Sequence, residues 1–435
     1  MANIFCAAPK RCLQNEKEET TYVVDRAVSD HRYAIDTAKI ESQSDWKADE
    51  NLETGLQKLL NGIWRNIMIN VTKTYLPDKK KYISYVDKIY KNGWVTNNGP
   101  LVQELQARLA EYLGVKNIVL VANGTIALEI AYRLLKLEGE VITTPFSFVA
   151  TTSSLVSNGL KPIFADIDSN TLNIDPKNIE VCITKNTSAI VPVHVFGNAC
   201  KVEDIEKIAD KYNLKVIYDA AHAFGENFKG QSLLNYGDVS TISFHATKMF
   251  HSIEGGALII NDDRLVQDAK YLINFGIDGP ESVKALGTNA KMNEFEAAMG
   301  LCVLDDIESI KDERKQLYDR YYNALDGVVE TQVKHENCTN NYAYFPALFK
   351  NEQQLLRVTK ILNDNGINPR RYFYPSLDTL PYTQDSDIMP VSRDVASRIL
   401  ALPIYPGLEY EIQDKIIEII CKYIQEQKTY FNEKK

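Results

Sequence analysis

The stretch Lys215-Val-Ile-Tyr-Asp219 is a short run of β-forming residues that ends in a carboxylate. Four similar runs precede it in the chain: Ile118-Val-Leu-Val-Ala122, Val141-Ile-Thr-Thr144, Pro162-Ile-Phe-Ala-Asp166 and Ala189-Ile-Val-Pro-Val193. Segments with helical apolar spacing lie between these runs, at residues 125–137, 149–158 and 202–212. Apolar strands that alternate with such helices predict an α/β fold with a mostly parallel sheet, buried on both faces.

The chemically notable side chains follow the carboxyl ends of these predicted strands. They occur in Asn123-Gly-Thr125, in Phe146-Ser-Phe148, and at Asp166, His194 and Asp219. In open α/β sheets, ligands bind outside the carboxyl ends of the strands. The sequence therefore predicts a ligand site at this edge of the sheet.

The composition is that of an ordinary globular protein with room for two or three domains. Of the 435 residues, 45% are apolar and 25% are charged, and the formal net charge is −9. This acidic balance argues against nucleic acid as a partner. The seven cysteines are scattered without metal-ligand spacing, so we expect reduced thiols and no metal site. Because no apolar run approaches the ~18 residues of a membrane span, and the N-terminus lacks an apolar signal core, we expect a cytoplasmic protein with no membrane partner.

Lys248 ends the run Ser243-Phe-His-Ala-Thr-Lys248, and together with Asp219 it suits the chemistry of pyridoxal 5'-phosphate (PLP). The amine can form a Schiff base with the cofactor aldehyde and later move a proton. The carboxylate can keep the pyridine nitrogen protonated, so that the ring withdraws electrons. Either residue alone would also fit a surface amine or a strand-end cap, so the neighbouring features decide between these interpretations.

Further residues are compatible with a phosphorylated aromatic cofactor. Gly124 and Thr125 open a predicted helix, where backbone N–H groups and a hydroxyl can bind phosphate, and Ser243 offers a second hydroxyl. Phe148 could stack on the cofactor ring, although an aromatic residue there could also fill the core. His222, three residues after Asp219, could reach the phenolic oxygen of the ring.

The chain resembles the DegT/DnrJ/StrS family of sugar aminotransferases over residues 68–417. The matching stretches are Trp94-Val-Thr-Asn-Asn-Gly-Pro100, Asn123-Gly-Thr-Ile-Ala-Leu128, Phe148, Pro192-Val-His194, Asp219-Ala-Ala-His222, Ser243-Phe-His-Ala-Thr-Lys248, Glu254-Gly-Gly-Ala257, Gly287-Thr-Asn289-Ala-Lys-Met292-Asn-Glu294 and Arg370-Arg-Tyr-Phe-Tyr-Pro375. The resemblance implies the fold-type I architecture of PLP-dependent transferases. In that architecture, a large domain with a mostly parallel sheet is followed by a smaller C-terminal α/β domain.

On the family pattern, Lys248 is the Schiff-base lysine and Asp219 is the partner of the pyridine nitrogen. The other cofactor contacts implied are Gly124, Thr125 and Ser243 at the phosphate and Phe148 on the ring. Asn289 resembles the residue that reaches the phosphate from the neighbouring subunit, which implies a homodimer with shared active sites. The family usually has Gln three residues after the Asp, where this chain has His222. An imidazole can still donate to the ring oxygen, with a different tautomer and pH dependence.

The reaction implied by the resemblance is a ping-pong transamination. L-glutamate gives up its amino group and leaves as 2-oxoglutarate, while PLP becomes pyridoxamine 5'-phosphate. The amine of Lys248 then serves as acid and base as the amino group passes to a keto-sugar. Relatives with His in place of this lysine are dehydratases, so an intact Lys248 favours transamination.

The preferred substrate is dTDP-4-keto-6-deoxyglucose, which would yield dTDP-4-amino-4,6-dideoxyglucose for deoxyamino sugar biosynthesis, as in lipopolysaccharide O-antigen. Residues 94–100 and 370–375 resemble that branch of the family. A 3-keto isomer is the first alternative, and a non-catalytic regulator with the same fold is the second. An NAD-dependent dehydratase would need a nucleotide-binding domain that the chain lacks.

Candidate sugar contacts are less specific than the cofactor contacts. Arg370 or Arg371 could bind the diphosphate, because guanidinium geometry suits it, or could form a surface salt bridge. His194 could contact the substrate, and both His194 and His245 could equally be structural histidines.

Three regions are predicted: an extension at residues 1–67, a large PLP-binding domain at 68–310 and a small domain at 311–435. The extension is similar to the C-terminal end of dTDP-glucose 4,6-dehydratases, through Arg32-Tyr-Ala-Ile-Asp36 and its flanks. It has no Gly-rich dinucleotide loop and no Tyr-x-x-x-Lys pair, so it cannot catalyse dehydration. We interpret it as a fused remnant rather than a working module, and we expect that its removal would leave turnover unchanged. A dehydratase of that type makes the 4-keto sugar that the following enzyme would use.

Overall fold

The computed structural model describes residues 68–383 and 386–433. The predicted remnant at residues 1–67 lies outside the described residues. The strands, in chain order, are β1 (Ile69–Asn70), β2 (Ile118–Val121), β3 (Glu140–Thr143), β4 (Lys161–Phe164), β5 (Thr187–Val191), β6 (Lys215–Asp219), β7 (Asn227–Phe228), β8 (Gln231–Ser232), β9 (Val239–Ser243), β10 (Gly256–Ile260), β11 (Glu330–Thr331), β12 (Phe345–Leu348), β13 (Ile367–Asn368) and β14 (Ile399–Leu402). The α-helices are α1 (Lys79–Asn92), α2 (Pro100–Leu113), α3 (Gly124–Leu134), α4 (Val149–Ser157), α5 (Pro176–Val181), α6 (Val202–Tyr212), α7 (Val266–Leu272), α8 (Glu294–Asp305), α9 (Ile307–Leu325), α10 (Glu352–Asp364), α11 (Pro390–Arg398) and α12 (Tyr410–Glu433).

A seven-stranded sheet in the order β2-β10-β9-β6-β5-β3-β4 forms the centre of the molecule. The pairs from β9 through β6, β5 and β3 to β4 are parallel. β10 runs antiparallel to both of its neighbours, β2 and β9. The predicted mostly parallel sheet is therefore confirmed. The reversal at β10 follows directly from the loop that carries Lys248, which returns the chain beside β9.

The sheet is buried on both faces, which explains why its strands read as continuous apolar runs. Along β2, Ile118 and Leu120 belong to one core cluster, whereas Val119 and Val121 belong to another. Successive strand residues point to opposite faces, so the two clusters lie on opposite sides of the sheet. α2 and α8 supply side chains to the first cluster, and α3 supplies them to the second. Each fully buried aliphatic side chain stabilises the fold by about 1.5–3 kcal/mol relative to exposure.

The C-terminal part of the chain builds a second sheet and a further core. β11, β12 and β14 form an antiparallel three-stranded sheet. Tyr321 of α9, Leu355 of α10 and Ile416 of α12 pack in one buried cluster with the residues of this sheet. β1 pairs in parallel with β13. α9 begins at Ile307, so the boundary predicted after residue 310 falls within its first turn, and the division into large and small domains stays a prediction.

Among the described residues, no helix is both long enough and apolar enough to cross a membrane.

Candidate active site

The carboxyl ends of the central strands open into a cavity of about 270 Å³. Asp219 ends β6, Ser243 ends β9, and Gly124 begins α3 directly after β2. Lys248 enters the same cavity from the loop between β9 and β10. The predicted site residues that line it are Gly124, Thr125, Phe148, Asp219, His222, Ser243, Lys248 and Arg370. Residues up to 246 positions apart in the chain thus share one site, as the strand-end argument predicts (124 to 370).

One end of the cavity is formed where α3 begins against β9. The side chain of Asn123 caps this helix by accepting a hydrogen bond from the Ile126 N–H at 2.9 Å. A Cβ atom on Gly124 would lie only 2.7 Å from the Cβ of Ser243, so the helix can approach the strand this closely only with glycine at that position. The approach places unpaired backbone N–H groups of a helix N-terminus beside a serine hydroxyl. Such a cradle suits a phosphate group.

Asp219 lines the cavity at the end of β6 and is largely buried, and both of its carboxylate oxygens accept hydrogen bonds. Thr151 Oγ1 donates to Oδ2 at 2.8 Å, and the Ala221 N–H donates to Oδ1 at 3.2 Å. The hydroxyls of Ser147 and Thr151 lie 2.8 Å apart. Burial raises the pKa of Asp219 above its ordinary value, while the hydrogen bonds and the positive charge of Lys248 act in the opposite direction. The carboxylate is thus held in place at a wall that water reaches poorly.

Lys248 presents its amine to the cavity from a turn. Its backbone N–H donates to the carbonyl oxygen of His245 at 2.8 Å. Its Nζ lies 3.3 Å from the hydroxyl of Tyr344, to which it donates a hydrogen bond. Among the described residues, no carboxylate forms an ion pair with this amine. The amine is therefore available for chemistry and is not committed to a salt bridge.

His222 lies beside Lys248 with a defined tautomer. Its Nδ1 accepts a hydrogen bond from the Phe196 N–H at 3.3 Å, so the proton of the neutral ring is on Nε2. The ring stacks on Phe373, with centroids 5.5 Å apart and planes inclined by 3°. Burial, together with the charge of Lys248, lowers the pKa of His222 well below its ordinary value. A neutral imidazole with Nε2–H is a donor, as the predicted contact with a ring oxygen requires.

Phe148 stands at the N-cap of α4 and is 51% exposed on the cavity wall. The alternative that it fills the core is therefore excluded. An aromatic face left open in a cavity can stack on a planar ligand.

His194 requires a correction, because the structure places it in the core and away from the cavity wall. Its Nδ1 accepts a hydrogen bond from the Cys200 N–H at 3.2 Å, and its ring stacks on Tyr218 at 4.5 Å between centroids. Burial lowers the pKa of His194 to about 3, so the ring is neutral. His194 is therefore a structural histidine that does not line the cavity, and its prediction as a substrate contact was wrong.

The two candidate arginines are separated by the structure. Arg371 donates to the carbonyl oxygen of Ser397 at 2.9 Å and pairs with Glu352 at 2.8 Å, outside the cavity. Its assignment to the diphosphate is corrected, because its guanidinium is already bound to protein groups. Arg370 lines the cavity and lies over the ring of Tyr372, with 5.0 Å from its Cζ to the ring centroid.

Asn289 is exposed and does not line the cavity of its own chain. Its predicted role at the active site of a neighbouring subunit stays a prediction.

Several residues that line the cavity, or that support a residue of its wall, were given no role by the sequence analysis. Ser147 and Thr151 follow β3, and the strand-end argument that identified Phe148 could have included them. Tyr344 carries no comparable signal, because it lies 96 residues from Lys248 in a segment without a recognisable motif. Tyr372 and Phe373 line the cavity from a segment that the resemblance identified without giving these residues a role.

Comparison with known proteins identifies the family of the chain. The model of the DegT/DnrJ/EryC1/StrS aminotransferase family matches residues 77–421. A dTDP-4-amino-4,6-dideoxy-D-glucose transaminase of Escherichia coli is 43% identical over 371 residues, which cover 81% of this chain and 98% of that protein. A UDP-2-acetamido-2-deoxy-3-oxo-D-glucuronate aminotransferase of Pseudomonas aeruginosa is 33% identical over 329 residues, which cover 74% of this chain and 89% of that protein.

The crystal structure of DesI in the presence of its TDP-sugar product superposes with a TM-score of 0.79. It is 31% identical to this chain and covers 85% of it and 96% of its own length. The family match, the relatives and the fold agree, and the chain belongs to the DegT/DnrJ/EryC1/StrS family of aminotransferases.

Proposed function

We propose that the protein is a PLP-dependent aminotransferase that passes an amino group from L-glutamate to dTDP-4-keto-6-deoxyglucose and so forms dTDP-4-amino-4,6-dideoxyglucose. The observation that carries this proposal is that Lys248 and Asp219 line one cavity, together with the Gly124–Ser243 cradle. The name of the Escherichia coli relative supports the choice of sugar.

The chemistry of the residues fits PLP. Lys248 would hold the aldehyde carbon, Asp219 would pair with the pyridine nitrogen, and the N-terminus of α3 with Ser243 would hold the phosphate. Phe148 would cover one face of the ring. When bound, PLP supplies an aldehyde that captures amines and a ring that withdraws electrons.

The chain's own groups then have separate tasks. The carboxylate of Asp219, supported by Thr151 and Ala221, would keep a proton on the pyridine nitrogen, because a buried negative charge favours a neighbouring cation. The Nε2–H of His222 would donate a hydrogen bond to an oxygen on the cofactor ring. The amine of Lys248, once free, takes and returns a proton, a role that contributes ~10²–10⁴ in rate for well-placed groups.

The choice of the sugar carbon that receives the amino group rests on the sequence identities of two relatives. The relative named for the 4-amino product is 43% identical, whereas the one named for a 3-oxo substrate is 33% identical. We therefore place amination at C4, and the 3-keto isomer is the alternative. Arg370 is the side chain at the cavity wall that would bind the diphosphate, because a guanidinium forms paired hydrogen bonds to phosphate oxygens.

A homodimer with shared sites is part of the proposal. Asn289 is exposed and outside its own cavity, as expected of a residue that serves a partner. Complementation tests this directly: Lys248→Ala and Asn289→Ala chains are each impaired, but a mixture refolded together should regain activity, because one of the two sites in the mixed dimer is intact. A mixture no more active than its components would refute the shared site.

The central experiment follows the visible absorption of the full-length protein, purified with added PLP, through both half-reactions. L-glutamate should bleach the cofactor band, and dTDP-4-keto-6-deoxyglucose, added after removal of glutamate, should restore it. NMR of the product should place the amino group at C4. If only a 3-keto isomer restored the cofactor band, the 4-keto sugar would be the wrong substrate. If no band appeared after PLP addition, the assignment as an enzyme would be refuted.

The matched control compares two lysines. Lys248→Ala should lose covalent attachment of the cofactor, measured by borohydride reduction and mass spectrometry of the whole chain. Lys136→Ala removes an exposed lysine elsewhere and should behave as the wild type.

A further inference from the structure

Tyr344 is the side chain that contacts the amine of Lys248, and the sequence gives no indication of this contact. Its hydroxyl lies 3.3 Å from Lys248 Nζ, while the ring centroid is 5.9 Å from the same atom. The amine is therefore at the hydroxyl end of the ring rather than over its face, and the contact is a hydrogen bond more than a cation–π interaction.

The ring of Tyr344 is fixed by its aromatic neighbours. Its centroid lies 4.8 Å from that of His222, 5.3 Å from that of Phe196 and 6.0 Å from that of Tyr372. Rings at these separations restrict the rotamers that a tyrosine can adopt. The hydroxyl is thus held at a defined point of the cavity.

The backbone that carries Tyr344 is tied to the loop that carries Asp219 and His222. The side-chain amide of Asn341 donates to the carbonyl oxygens of His222 at 2.8 Å and Phe224 at 3.1 Å. Glu226, almost fully buried, accepts from the Asn341 N–H at 2.8 Å. These bonds are buried and fully formed, so the distance between the two segments is rigidly set.

A neutral hydroxyl is chemically suited to an amine that changes its protonation state. It can accept a hydrogen bond from an ammonium or a neutral amine, and it can donate to the lone pair of the neutral form. A carboxylate in the same place would favour the charged form and so oppose the use of the amine as a base. Among the described residues, no carboxylate is paired with Lys248.

We propose that Tyr344 is a positioning residue that holds the free amine of Lys248 through its hydroxyl while the lysine takes up and returns protons. The inference rests on the proposed function, in which Lys248 is released from the cofactor. Tyr344 acts through Lys248, and the tie from Asn341 to the His222 loop sets its place.

The test compares Tyr344→Phe with Tyr342→Phe in the full-length protein. The control residue lies two positions away on the same segment, and its ring packs on Tyr318 at 5.5 Å between centroids, away from the cavity. The rate of trace acetylation of Lys248 by acetic anhydride is measured by mass spectrometry relative to exposed Lys136. It is measured in the cofactor-free protein and in the pyridoxamine 5'-phosphate form, where the lysine amine is free.

Loss of the hydroxyl should raise the relative labelling of Lys248 by ~3-fold or more, because the amine is no longer engaged. In the same variant, kcat should fall ~10-fold with little change in KM for glutamate, because the amine is misplaced rather than the substrate site. Tyr342→Phe should change neither quantity. Asn341→Ala keeps the Tyr344 hydroxyl but removes the hydrogen bonds that fix the segment around it. This variant should also raise the labelling of Lys248 and lower kcat, each by a smaller factor than Tyr344→Phe.

Wild-type labelling and kcat in Tyr344→Phe would overturn the inference. Equal effects in Tyr344→Phe and Tyr342→Phe would also overturn it, since that result would indicate general loosening of the segment. Labelling of the cofactor-free chain does not depend on turnover. It therefore tests the role of Tyr344 even if the proposed transamination does not occur.

Discussion

Thr151 Oγ1 donates its only proton to Asp219 Oδ2 at 2.8 Å, and this fixes the direction of the hydrogen bonds behind the site. The hydroxyl of Ser147 lies 2.8 Å from Thr151 Oγ1. Because a hydroxyl has one proton, Ser147 must donate to Thr151 when Asp219 is ionised. A relay of two hydroxyls therefore supports a carboxylate whose burial alone would favour its neutral form.

Replacement of Thr151 by valine removes this donor while keeping the shape of the side chain. The pKa of Asp219, already raised by burial, should rise further, because the hydrogen bond from Thr151 lowers it. The ionised form is the active one, so the acidic limb of the kcat profile should move to higher pH by about one unit. The measurement is kcat against pH with saturating substrates.

Thr152→Val is the matched control, because Thr152 is equally buried and its hydroxyl has no hydrogen-bond partner. Its pH profile should match that of the wild type. Equal shifts in both variants would show that packing, not the hydrogen bond, is responsible.

A methyl group at Gly124 should damage the phosphate end of the cavity. The new Cβ would lie 2.7 Å from Ser243 Cβ and 3.2 Å from Ser243 Cα, so one of the two elements must move. Overpacking of this kind costs about 1–3 kcal/mol in the free energy of unfolding. The dissociation constant for PLP should rise ~10-fold or more, because the helix N-terminus is displaced. Denaturant titration measures the free energy of unfolding, and fluorescence titration with PLP measures the dissociation constant.

The double variant Gly124→Ala/Ser243→Gly separates the two effects. It removes the clashing Cβ and should recover most of the unfolding free energy, but not the PLP affinity, because the serine hydroxyl is lost. Recovery of both would mean that Ser243 does not bind the phosphate.

His222 should act as a neutral donor across the physiological pH range. Its pKa is held well below the ordinary value by burial and by Lys248, so the kcat profile should show no inflection near pH 6.5 from this residue. His222→Gln keeps an N–H donor and should retain activity within ~3-fold, whereas His222→Leu should lose ~10-fold or more. An inflection near pH 6.5 that disappears in the Gln variant would show that the imidazole titrates.

Buried His194 should make the fold less stable in acid. Its pKa is about 3 in the folded protein, against ~6.5 in the unfolded chain, so between these values the unfolded chain binds more protons. The free energy of unfolding therefore rises with pH in that window and falls as pH drops below ~6.5, by up to about 1.4 kcal/mol per unit. Urea unfolding at several pH values measures this slope.

His194→Gln should show a shallower slope, because an amide does not titrate. Near pH 8 the histidine is neutral in both the folded and the unfolded chain. The difference in free energy of unfolding between the variant and the wild type at that pH therefore measures only the loss of packing. An unchanged slope in the variant would assign the acid sensitivity to other groups, among which His222 has the same sign.

The order of strands and helices was predictable because the sheet is buried on both faces. Its strands read as unbroken apolar runs, such as residues 118–122 and 215–219, separated by helical periodicity. The position of the cavity was predictable by the same reasoning, because parallel strands present their carboxyl ends at one edge of the sheet. Prediction was weakest at element boundaries, because end residues are set by caps and packing. The helix predicted at residues 125–137, for example, is α3 and ends at Leu134.

His194 and Arg371 carry functional groups that could bind a substrate, but neither side chain lines the cavity. His194 follows a strand as Asp219 does, but its ring turns into the core and stacks on Tyr218. Arg371 and Arg370 are adjacent in sequence, and only the packing of the chain decides which guanidinium is bound by Glu352 and which lines the cavity.

The sequence by itself determined the α/β class and the family, and it identified Lys248 and Asp219 through local motifs at strand ends. These features can be recognised in the sequence because strand periodicity and short motifs involve consecutive residues. Only the tertiary structure decided that Thr151 supports Asp219 and that Tyr344 meets Lys248. These contacts join residues 68 and 96 positions apart, and their geometry depends on how separate strands and loops pack, which no local pattern encodes.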